Sequence, residues 1–163
     1  MEKMKYIPFD LVMTDGLPIG TKRGQVYVVT ASDPNRTLTL KDGTVNKGVV
    51  TLDAVTEEDK AHFVETSTWV KHLVPIGLTI DILRKNGWKQ TKHVVDHHGY
   101  EYYLYENEND ILPEIQYYPK EDWHDEDGFS AFWGDTEIRP EIRFVHEIQH
   151  LLVGLDIDFD FKV

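Results

Sequence analysis

The sequence predicts an α+β fold: a β-rich first part, residues 1–74, and an acidic second part, residues 75–163, in which two helices accompany an antiparallel sheet. Three observations predict it. Short β-branched runs separated by turn residues fill the first third. Two stretches with helix start and stop signals follow, interleaved with further strand runs. No linker-like composition divides the parts near Pro75, so they are expected to pack as one unit.

The runs GQVYVVTAS (24–32), RTLTLKDG (36–43) and GVVTLDAV (48–55) read as three strands. The stretches DPN and KDGTVNKG between them carry residues that tolerate turn dihedrals. So many short strands in so little chain suit a small, bent sheet or an SH3-like barrel. Thr56, with Asp59 three residues on, then caps a short helix in TEEDKAHFVE. A better-marked helix starts at Thr79. Leu78 and Leu83 occupy the two staple positions, and Asn86-Gly87 stops it after IDILRK.

From Trp88 the pattern returns to strands: WKQTKHVVD, the turn HHG, YEYYLYE and EIQYYP. RPEIRFVHEIQHLLVG reads as the second main helix, with Pro140 in its first turn and Gly154 at its end. The tail LDIDFDFKV alternates strictly, placing Leu155, Ile157, Phe159, Phe161 and Val163 on one face of a predicted strand.

Composition narrows the function. There is no cysteine, which excludes a thiolate nucleophile and a Cys-type zinc site. Residues 1–98 hold 13 Lys/Arg and 12 Asp/Glu (+1), and residues 99–163 hold 4 and 17 (−13), so all the excess acid is in the second part. Such a surface repels phosphate backbones; no direct nucleic-acid binding is expected, and a basic protein partner would suit it. Pro8 and Asp10 break the first apolar run, and no stretch reaches membrane-span length, so a cytoplasmic location without membrane contact is expected.

One stretch names a chemistry. His146-Glu147-Ile148-Gln149-His150 spells H-E-x-x-H, in which two histidines one helical turn apart hold zinc and the Glu activates its water. The third ligand is the difficulty. In one branch of such enzymes it lies six residues on, where Asp156 stands, but the required turn glycine is displaced to Gly154. In the other it is a downstream Glu, and no Glu follows Glu147. A ligand from His93, His97, His98 or His124 would be a new arrangement. At 100° per residue, Phe144, Val145, Ile148, Leu151 and Leu152 form the core face and leave His146, Glu147 and His150 on the opposite, polar face. With 8 histidines in the chain, the match reads as a coincidence on that face. The alternative is a zinc hydrolase with His146, His150 and Asp156 as ligands and Glu147 as base.

Other motifs carry less. GTKRG lacks phosphate-loop spacing. WHDEDG fails as a calcium loop, because its first ligand position would be Trp123 and its twelfth Gly134. Asp96, His97 and His98 read as a hairpin turn, and Asp156, Asp158 and Asp160 as the wet side of the tail.

VPIGLTIDILRKNGWKQ, YEYYLYE and IRFVHEIQHLLVGLDIDFDF, in this order, resemble a group of short proteins of gut Bacteroidetes and their prophages. That group reads PIPLTEEILLKNGF, a YYL strand, and YVHQLQN near the C-terminus. The resemblance covers roughly residues 73–118 and 138–161 and implies a small N-terminal barrel. It matches His146 but puts Gln and Asn where Glu147 and His150 stand, so it implies no zinc pair, and it lends no activity. The expectation is therefore a non-catalytic intracellular accessory or interaction protein, from a mobile element, without cofactor. Zinc hydrolysis is the alternative, and an acidic nucleic-acid mimic the third reading.

Overall fold

The computed structural model describes residues 5–119 and 128–163; His124 and the acids Glu121, Asp122, Asp125, Glu126 and Asp127 lie outside them. The chain divides into two compact units, Met1–Ile76 and Gly77–Val163. Among the described residues each contains a five-stranded antiparallel sheet, with one short α-helix in the first unit and two in the second, a mixed α+β chain.

The first unit orders its strands β4-β3-β2-β1-β5: β1 (Leu11–Thr14), β2 (Val26–Thr39), β3 (Val45–Ala54), β4 (Thr66–Trp69) and β5 (Leu73–Pro75). A short helix α1 (Glu57–Lys60) precedes β4, and a 3-10 turn, Val70–His72, joins β4 to β5. Thr56 caps α1 as expected, accepting the Asp59 N–H at 3.1 Å. Period-2 alternation in β3 buries Val50, Leu52 and Ala54. These join Tyr6, Val12, Tyr27, Val29 and Leu73 in the core.

Two expectations change here. DPN does not reverse the chain, because 24–32 and 36–43 belong largely to one strand, β2, which runs through it with a register shift between Asp33 and Thr37. Asp33 Oδ1 accepts the N–H groups of Asn35 and Arg36, so the turn chemistry is spent on a bulge inside the strand. Gly48 accommodates it from β3, at φ +75° and with the Pro34 backbone 3.9 Å from where a Cβ would stand. The reversal comes later, at Leu40–Thr44. The second change is β1, which the interrupted run YIPFDLVMT conceals.

In the second unit the order is β10-β9-β8-β7-β6: β6 (Trp88–Val95), β7 (Glu101–Asn107), β8 (Glu114–Tyr118), β9 (Gly128–Trp133) and β10 (Thr136–Ile142). Helix α2 (Ile80–Lys85) has the predicted ends: Thr79 Oγ1 accepts the Ile82 N–H at 3.2 Å, and Asn86 and Gly87 (φ +92°) close it. Helix α3 (Val145–Gly154) is shorter than expected. Residues 136–142 pair with β9 instead, and Pro140 is tolerated because β10 is an edge strand broken by a bulge, with Glu141 at φ +51°. That bulge and Pro140 guard one edge. Lys89, Lys92 and the register shift between Gln90 and Lys92 guard the other.

The tail also differs from expectation. Ile157 and Phe161 are buried, Phe159 is half-buried, and Asp158, Asp160 and Lys162 are exposed, so the alternation is real. Among the described residues no strand pairs with it. Phe159 and Phe161 pack on Trp88 at 5.8 and 6.3 Å between ring centres.

Candidate functional site

Because α3 starts at Val145, Glu147 is its third residue, where a carboxylate can reach back to the helix's own free amides. Its Oε2 accepts the N–H groups of Arg143 (2.7 Å) and Phe144 (3.0 Å), and Arg139 Nη2 lies 3.8 Å from Oε1. This is the carboxylate half of a capping box; Phe144 has no side-chain acceptor for the reciprocal bond. Oε2 is thereby spent on the start of the helix.

His146 departs from its expected position. It is 6% exposed and lies against Phe144, the two rings parallel within 9° with centres 5.7 Å apart. Phe144 is itself fixed by an antiparallel bridge to Gly77, beside a Leu78 N–H bond to the Arg143 carbonyl at 2.8 Å. His150 is half-buried, edge-on to His146 at 5.6 Å.

Asp156 is placed by backbone geometry. It lies just past α3 at φ +58°, its N–H bonded to the Val153 carbonyl (3.0 Å), and the Ile157 N–H reaches the Leu152 carbonyl (2.9 Å). That is a Schellman closure, with Asp156 where glycine usually stands and Gly154 still helical. Among the described residues, no three His, Asp or Glu side chains group so that they could hold a metal ion.

The other histidines have local roles. Asp96 Oδ1 accepts the N–H groups of His98 (2.8 Å) and Tyr100 (3.0 Å), closing the β6–β7 hairpin with Gly99 at φ +85°. Partial desolvation pulls its carboxyl upward, yet these backbone donors and the adjacent histidines hold it below the usual range. His97 and His98 contact each other in that turn at 3.9 Å. His93 meets Glu101 at 3.3 Å and stacks on Tyr103 at 4.6 Å. Tyr103, Tyr117 and Phe129 continue that row across the sheet. Tyr117 and Phe129 then line an open cleft of about 300 Å³ with Leu78, Thr79, Ile80 and Arg84.

A different surface stands out in the first unit. The loop 15–25 between β1 and β2 carries Leu17, 48% exposed, and Ile19, 94% exposed. It is held from both ends. Asp15 donates its N–H to the His72 carbonyl (3.0 Å), meets His72 Nδ1 through Oδ2 (2.9 Å) and accepts the Leu17 N–H (3.0 Å). The His72 and Leu17 contacts hold its carboxyl below the ordinary range. Buried Thr21 bonds Thr14 Oγ1 (3.0 Å) and the Pro18 carbonyl (2.8 Å), and the Lys22 N–H reaches the Tyr27 hydroxyl (2.8 Å). In the sequence this loop contains GTKRG, which lacks phosphate-loop spacing. The one signal was LPI, two large apolar residues inside the turn-rich run TDGLPIGTKRG.

No family model, curated protein or solved structure matches this chain. The functional reading therefore rests on geometry.

Proposed function

We propose that this chain is a non-catalytic accessory protein that works by binding another macromolecule, with the loop 15–25 of an SH3-like barrel as its contact surface. The barrel reading is supported by the sheet order, in which β5 returns to pair with β1 and a 3-10 turn separates β4 from β5. One observation carries the binding role: large apolar side chains stand out from a loop whose backbone is fixed by the core side chains Thr14, Thr21 and Tyr27. An exposed Ile19 gains nothing from folding, whereas a pre-ordered loop loses little entropy when a partner covers it. The Glu147 geometry favours this reading over hydrolysis. Among the described residues no helix is long and apolar enough to cross a membrane. An intracellular setting and a mobile-element origin belong to the same proposal, supported by the resemblance of the second part.

A photo-crosslinking residue at position 19, in cells expressing the chain, tests it. One defined adduct should form. Adding Leu17→Asp should reduce that adduct roughly ten- to hundredfold, the loss of one buried leucine contact. An adduct indifferent to Leu17→Asp would overturn the proposal, as would crosslinks spread over many proteins in proportion to their abundance.

A further inference from the structure

The tail Ile157–Val163 is seated as a bound peptide would be. Main-chain hydrogen bonds and alternate side chains in pockets are how extended segments are recognised. Here side chains supply main-chain bonds: Asn86 Oδ1 accepts the Lys162 N–H at 2.7 Å, and Asn86 Nδ2 donates to the Lys162 carbonyl at 2.6 Å. Those are the two bonds that one residue of a neighbouring strand would exchange. Lys85 Nζ donates to the Val163 carbonyl. Trp88 receives Phe159 and Phe161. The connection to α3 passes through exposed Gly154 and Asp156, the latter in a left-handed conformation that a non-glycine residue adopts at a cost.

We propose that Ile157–Val163 is an exchangeable strap, and that the partner fitting its groove of Lys85, Asn86 and Trp88 is the same segment of a second copy of this chain. Three features favour that occupant. The groove's contacts match a segment that every copy carries, so exchange conserves each contact and is governed by concentration. The connection that would have to open, at Gly154 and Asp156, is exposed. Among the described residues the segment holds no strand partner that must be broken before it leaves. This inference does not depend on the loop surface proposed above.

The absence of cysteine makes the test direct. Chains carrying Lys85→Cys are mixed with chains carrying Val163→Cys at a concentration on the order of a millimolar, comparable to the effective concentration of a tethered segment, and oxidised gently. A parallel mixture replaces Lys85→Cys by Lys41→Cys, in the exposed β2–β3 turn. Exchange predicts roughly tenfold or more heterodisulfide in the first mixture than in the second. Adding Phe161→Ala to the Val163→Cys chain should abolish the excess. Equal yields in the two mixtures would overturn the proposal, and so would an excess that survives Phe161→Ala.

Discussion

Trp88→Ala should lower the stability of the second unit by about 3–5 kcal/mol, the range for removing a large buried aromatic side chain. The indole is 0% exposed and lies where three parts of the unit meet. It opens β6 directly after the α2 stop, its Nε1–H donates to the Pro113 carbonyl at 2.9 Å ahead of β8, and the tail aromatics pack on its ring. Truncation removes all of this and leaves a cavity that Phe159 and Phe161 cannot fill without leaving their own seats. Trp88→Phe keeps most of the packing and loses the Pro113 bond, so it should cost about 1–2 kcal/mol. Urea unfolding followed by far-ultraviolet circular dichroism measures both. A loss below about 1 kcal/mol for Trp88→Ala would mean that the tail does not pack on this ring.

Tyr27→Ala should have a comparable effect on the first unit, again about 3–5 kcal/mol. Tyr27 is 1% exposed, lies in β2 between Val12 of β1 and Ala54 of β3, and contacts Phe63 at 5.2 Å. Its hydroxyl also accepts the Lys22 N–H, which ties the loop 15–25 to the core. Tyr27→Phe separates the two roles. The packing stays, about 1 kcal/mol is lost with the hydrogen bond, and hydrogen exchange should quicken at residues 15–25 while β2 and β3 stay protected. Uniform quickening across the unit would show that the loop is not a separately braced element.

What the sequence made legible was mostly local. Helix α2 could be read because its stop and start signals, Thr79, Leu78, Leu83 and Asn86-Gly87, all act within one turn of its ends. β9 and β10 were hidden because their evidence is a pairing across a hairpin. Pro140 fits the first turn of a helix as well as an edge strand, and the apolar period of α3 drew the helix too far toward the N-terminus. That one displacement also misplaced the candidate site. With the helix begun at Pro140, Glu147 falls in its middle and looks available; begun at Val145, it is the third residue and caps the helix. His146 misled for another reason: a 100° face counts the helix's own apolar residues and cannot foresee a Phe144 ring lying against His146. In the tail, alternation reported correctly which side chains face inward. It could not report that the main chain would be held by the Asn86 amide, a residue whose evident job was to end α2.

Zinc content tests the central claim most directly, namely that H-E-x-x-H here builds a helix start and not a metal centre. Protein purified without added metal, then incubated with equimolar zinc and passed through a desalting column, should retain no stoichiometric zinc, and His146→Ala with His150→Ala should not change the amount. One zinc bound per chain in the native protein, lost in that double variant while the fold persists, would contradict the account.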